Sequence, residues 1–132
     1  MTYNPNMSSA ARRHLSAADI LFDESRRRDV AGYLYGIAAE CAIKAMMIEA
    51  GHRPIENSKD DPLFAHFPQL RTSLRDCQFG RKGTTLLRFI NNDNFFSQWD
   101  IKMRYCSGSE IDGKWIATWK KQASDAVSSI GT

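Results

Sequence analysis

Residues 30–50 form one long apolar run, from Val30 to Ala50, with Glu40 and Lys44 four residues apart in its middle. Val30, Leu34, Ile37, Cys41, Ala45 and Ile48 recur at helical spacing, and Ala31, Ala38 and Ala42 widen the same sector. This pattern predicts a helix whose stripe faces a core. At about 100° per residue, Tyr33, Glu40 and Lys44 fall beside that stripe, and Glu40 precedes Lys44 in the favourable i,i+4 order. A partly buried charge pair of this kind is either an internal strut or part of a polar site. Tyr33, Glu40 and Lys44 are therefore the first polar candidates.

A 132-residue chain is the size of one domain and can bury roughly two-thirds of the surface its unfolded form exposes. One helical domain over 1–132, with a structured core of about 8–129, is expected. The net charge of +3 comes from 18 Lys and Arg against 15 Asp and Glu, too small an excess to argue by itself for nucleic-acid binding. Cys41, Cys77 and Cys106 are odd in number and far apart, a pattern expected of a reducing cytoplasm and not of a secreted disulfide framework. Met1 to Ser9 carry no apolar core of signal-peptide length. With Glu40 and Lys44 interrupting the 30–50 run, no membrane span is expected.

Ser8 or Ser9 can cap a first helix to about Glu24, with Ala11, Leu15, Ala18 and Phe22 on one stripe, Leu21 extending it and His14 at its edge. The charged stretch 23–29 is a short connection, and Asp29 is placed to start the long helix, so the two helices should pack antiparallel. Gly51 supplies a left-handed C-cap and Pro54 prevents resumption. A loop follows over His52 to Pro62. Leu63, Phe67, Leu70 and Leu74 give a shorter stripe, with a helix from Pro68 to about Cys77. Gly80 and Gly83 bracket a turn, and Thr84 or Thr85 caps a short helix through Leu86, Leu87 and Ile90 that the Asn91–Asn94 stretch stops. The segment 95–105 is too aromatic for a free linker and is expected to fold across the bundle. A turn-rich loop at 107–113 precedes a last helix, Lys114 to Ser129, packed through Trp115, Thr118, Trp119, Gln122, Ala126 and Ile130. No period-2 run demands a sheet. The fold class is all-α, a four- or five-helix up-and-down bundle.

The chemistry-bearing residues are sparse. His14, His52 and His66 are irregularly spaced and no CxxC pair exists, so no metal site and no cofactor is expected; Cys41 fits a small core residue. The glycines of 32–36 and 80–83 lack the strand–loop–helix context of a phosphate loop. Arg26, Arg27, Arg28, Arg81 and Lys82 could touch phosphate, but their turn positions suit a solvated face. Phe95, Phe96, Trp99 and Tyr105 could stack bases, yet a small bundle needs such side chains to close its ends or to pair two copies. Arg104, inside the ordered-looking 99–105 stretch, could clamp a phosphate or pair with Glu40, and the structural pairing is the expectation.

The first helix ending in an acidic–arginine cluster, the sequence from Ala31 to Met46 with Ala38-Ala39-Glu40-Cys41-Ala42-Ile43-Lys44 at its centre, His66-Phe67-Pro68-Gln69-Leu70, and the 99–105 stretch together resemble the HEPN superfamily of small prokaryotic helical domains. The resemblance spans roughly 8–129, and its distinctive part is 38–44. It implies an up-and-down helical bundle, usually a homodimer, found beside nucleotidyltransferase partners in toxin–antitoxin and defence systems. Many such domains are metal-independent endoribonucleases that use an Arg, four to six variable residues and then a His. Arg104 occupies the plausible arginine position, but the interval positions hold Ser109, Glu110 and Ile111, and His66 is the last histidine of the chain. The missing imidazole is the group that handles a proton near neutral pH. Glu110 is a poor substitute, because a carboxylate titrates lower and repels phosphate. The expectation is a catalytically silent interaction module that binds a protein, RNA or nucleotide partner. The alternative is a divergent endoribonuclease in which Arg104 stabilises phosphorane charge and His14 or His66, from either subunit, supplies the proton.

Overall fold

The structure is a computed structural model that describes residues 3–53, 61–77 and 79–132. Among these residues it is all-α, a five-helix bundle with no strand: α1 (Met7–Phe22), α2 (Arg28–Glu49), α3 (Gln69–Arg75), α4 (Thr84–Ile90) and α5 (Gly113–Ser128), linked by short 3₁₀ turns. The expected loop at 52–62 lies, for residues 54–60, outside the described residues.

Side chains that satisfy free amides set the starts of α1 and α5. Asn6, and not Ser8 or Ser9, caps α1 by accepting from Ser9 N at 3.1 Å. Asp112 caps α5 by accepting from Lys114 N at 2.8 Å. No side chain caps α2, which begins at Arg28 with Asp29 in its first turn. Nor does Thr84 cap α4; its hydroxyl donates to the Arg81 carbonyl at 2.8 Å.

The pairings fix the topology. Tyr35 donates to Asp19 and Arg28 Nε donates to the Phe22 carbonyl, so α1 and α2 run antiparallel, as a five-residue connection requires. Ile116 lies against Gly32, and Gly131 N donates to Glu49; α5 therefore runs parallel to α2. Parallel neighbours need a return leg, and residues 61–111 supply it. Phe67 meets Glu40, Trp99 meets Gly36 and Gly32, and Gly108 meets Asp29, in steady reverse order along α2. The expectation that 95–105 folds across the bundle holds for buried Phe95, Phe96 and Trp99, whereas Tyr105 is exposed.

The buried arc of α2 keeps the small residues of the expected sector but not its large ones. It comprises Ala31, Tyr35, Ala38, Ala39, Ala42, Ile43, Met46 and Met47 with Gly32 and Gly36. Val30 and Ile48 are 40% and 47% exposed, and Leu34, Ile37 and Cys41 are only half-buried. The reason is size. An arc of alanines and glycines lets α1, α5 and the return leg approach closely, leaving the larger aliphatics on the outer side. Of the expected sector the alanines Ala31, Ala38, Ala42 and Ala45 are enclosed. In α5 likewise the packed face is Ile116, Trp119, Ala123, Ala126 and Val127; Thr118 is exposed and Trp115 is 37% exposed.

By length and composition Ser25–Glu49 could cross a membrane, contrary to the expectation that no segment approaches a span. Its apolar side chains are mostly enclosed by α1, α5 and the return leg, so the same hydropathy serves the bundle core.

Candidate functional site

Glu40 sits at the middle of α2, 2% exposed. Its Oε1 lies 2.8 Å from His66 Nδ1, and its Oε2 accepts from Phe67 N at 2.8 Å. The residue that holds Glu40 is thus His66 from the return leg. Lys44 lies within no ion-pair distance of it, so neither of the two expected partners, Lys44 or a basic group from another helix, pairs with Glu40; His66 lies in the segment before α3. Nor does Arg104 reach Glu40. Lys44 is 6% exposed and acts on Glu40 only through its field. Burial pushes the Glu40 carboxyl above its ordinary range, opposed by the bonds from His66 and Phe67 and by Lys44. Burial pushes the Lys44 ammonium down, opposed by Glu40 and Cys41. Burial also raises the Cys41 thiol, which suits a packing residue better than a nucleophile.

A second carboxylate repeats the arrangement. Asp61, buried, has Oδ1 2.9 Å from His52 Nε2 and accepts from Leu63 N at 2.9 Å. Each carboxylate thereby joins an imidazole to a backbone amide of the return leg, and Glu40 anchors that leg to α2. In chemical terms Glu40 orients the His66 ring, a side chain 42% exposed, through Nδ1.

Arg104 stands near the start of α2, exposed, with its guanidinium carbon 5.4 Å from the Tyr105 ring centroid. It lines a cavity of about 240 Å³ with Asp29, Val30, Tyr33, Met103 and Gly108. Tyr33, half-buried, stacks on Trp99 with centroids 6.0 Å apart. Neither His14 nor His66 lines this cavity. His14 is on α1, where burial and then Arg13 lower its pKa. Glu110 lines an adjoining cavity of about 230 Å³, behind a wall of Met103, Cys106 and Ile111. Within one chain, the Arg104–histidine constellation of the alternative reading is not assembled.

The basic runs are apart as well. Arg28 packs over the Phe22 ring, 4.7 Å from its centroid, and lines a polar cavity of about 390 Å³ with Ser25, Arg26, Asp29 and Ser109. Arg81 and Lys82 are exposed in the turn before α4 and line none of these cavities. Among the described residues no group of three or more His, Cys, Asp and Glu is placed to hold a metal ion.

Two relationships escaped sequence reasoning. The glycines of the 32–36 run are seats for indoles: a Cβ on Gly36 would stand 1.9 Å from Trp99 Cε2, and one on Gly32 would stand 3.2 Å from Trp119. Two glycines four apart on an apolar helix were the available signal, since glycine marks close approach. Gln122, half-buried on α5, holds the 94–96 turn from both sides, accepting from Phe96 N and donating to the Asn94 carbonyl, each at 2.9 Å. No family model matches the chain, and no curated protein or solved structure matches it either.

Proposed function

We propose that the chain is a HEPN-like helical interaction module that works as a homodimer and does not itself cleave RNA. The observation that carries this reading is the outer face of α2. Val30, Leu34, Ile37, Cys41 and Ile48 form an apolar row that the fold leaves only partly covered, with Val30 and Ile48 at its ends the most exposed. At 1.5 Å per residue the row is about 27 Å long. A two-fold axis near Ile37 and Cys41 would pack the row against its own copy, as an isologous interface requires. The resemblance carried by 38–44 adds the wider expectation of a nucleotidyltransferase-like protein partner in a toxin–antitoxin or defence setting. The silent-domain part of the reading is supported by the sequence after Arg104, which contains no histidine.

Light scattering at tens of micromolar tests the assembly: a dimer is expected for the wild type and a folded monomer for Ile37→Glu. A wild-type monomer at high micromolar concentration rejects the reading. For activity, structured and single-stranded RNAs are incubated with chelator present. Cleavage by the wild type that Arg104→Ala loses would replace the silent module with the divergent endoribonuclease.

A further inference from the structure

The cavity of about 230 Å³ between the 98–111 stretch and α5 has an aromatic and aliphatic floor, Trp115, Trp119, Met103 and Ile111, and a charged rim, Asp100, Lys102 and Glu110. Each rim carboxylate is fixed by a local backbone bond. Asp100 Oδ1 accepts from Lys102 N at 2.9 Å, and Glu110 Oε2 accepts from Ser107 N at 3.2 Å. Asp100 also accepts from the Met103 backbone N–H in a capping box, whereas Glu110 accepts only the Ser107 bond, and neither carboxylate is within ion-pair distance of a cation among the described residues.

The wall behind them is held firmly. Trp119 Nε1 donates to the Ser97 carbonyl at 3.1 Å, and Gln122 grips both sides of the 94–96 turn. These bonds maintain Phe96 and Gln98 at φ of 53° and 72°, a conformation that side-chain-bearing residues adopt only under outside constraint. Gln98 also lines the cavity.

The partly exposed Trp115 indole beside two carboxylates that no cation neutralises suits a cation with an apolar stem. The stem takes the floor, the cation faces the indole, and the Asp100 and Glu110 carboxylates accept its N–H groups. Two acidic groups against one lysine disfavour a phosphate or a carboxylate in the same space. A planar guanidinium stacks on indole and bonds carboxylates in a fork, which a compact ammonium does less well. The geometry points to this cavity as a docking site for an arginine side chain of a protein partner, distinct from the α2 dimer row. The inference rests on the interaction-module reading only in making the ligand a polypeptide. Its failure is visible by a different measurement from the oligomeric state.

The test is a titration of the full-length ¹⁵N-labelled protein with N-acetyl-arginine amide, followed by indole and backbone amide resonances. Saturable shifts are expected at the Trp115 indole and near Asp100 and Glu110, with N-acetyl-norleucine amide producing none. Asp100→Asn with Glu110→Gln keeps the acceptor atoms of both local bonds while removing the charge, so the fold is retained. This double variant should weaken binding roughly tenfold or more, as expected for loss of charge-assisted bonds. Absence of a saturable shift at Trp115, equal shifts with the norleucine compound, shifts with adenosine monophosphate instead, or unchanged affinity in the folded double variant would each overturn the assignment.

Discussion

Trp99 Nε1 donates to the backbone carbonyl of Gly32 across 3.1 Å, while its ring occupies the space beside Gly36 that a Cβ would need. One indole thus ties the return leg to α2 by a buried hydrogen bond and by packing. The same indole stacks on Tyr33, beside the Arg104 cavity, and meets Phe67 edge-on, next to His66. The Arg104 cavity and the Glu40–His66 pair share this central support.

Gly36→Ala is expected to destabilise the fold by about 3 kcal/mol or more, at the upper end of overpacking effects, because Trp99 cannot shift without losing its bond to Gly32. Adding Trp99→Ala to that variant should cost far less than Trp99→Ala costs alone, since the clash is then gone. Chemical denaturation of the four proteins checks this, and simple additivity would show that the two residues do not oppose one another.

Glu40 and Lys44 are expected to behave unequally. Glu40→Ala leaves His66 Nδ1 and the buried Phe67 N–H without their acceptor and should cost about 3–5 kcal/mol. Lys44→Met removes an ammonium that makes no hydrogen bond and keeps much of the side-chain volume, so its cost should not exceed about 1 kcal/mol. Equal losses in urea titrations would restore a true Glu40–Lys44 pair.

Gln122→Ala should cost about 1–3 kcal/mol, because it removes both bonds that hold the 94–96 turn and frees Phe96 from its left-handed backbone. Hydrogen exchange should accelerate at Phe96 N and spread to 97–99 before the α1–α2 hairpin is affected. Uniform acceleration across the chain would mean that the turn is not a separate unit.

Much of the architecture was legible because helical periodicity and punctuation are local. Gly51, the Asn91–Asn94 stretch and the alanine-rich run gave the long helices and their breaks. The orientation of α2 was not legible, since a helix apolar nearly all round has no single stripe and its packed arc is chosen by neighbours. Small residues made that choice: Ala31, Ala38, Ala42 and Ala45 of the expected sector face the core, while the larger Val30, Leu34, Ile37 and Ile48 beside them do not. Glu40 and Lys44 were correctly placed out of open water. The partner of Glu40 was missed because His66 is 26 residues away, and nothing in its local pattern announces that the return leg brings it back.

The buried charges of α2 also set a pH dependence whose sign differs from ordinary acid unfolding. Glu40 has a folded pKa above its ordinary 4.5, so the folded chain holds its proton longer. Its contribution to stability is full below about pH 4.5 and is lost as pH rises through the elevated folded value. Lys44 has a folded pKa below its ordinary 10.5, so the folded chain releases its proton first. Stability therefore rises with pH between that lowered value and about 10.5. Urea unfolding of the wild type and Lys44→Met across pH 4–10.5 isolates the second effect. The wild type is expected to gain on the variant as pH climbs through the alkaline window. In the variant, Glu40 loses the nearby positive field, so its proton should be held to still higher pH and the acid-side decline should extend further toward neutrality. A constant difference between the two proteins over the whole range would mean that Lys44 is as well solvated in the fold as in the open chain.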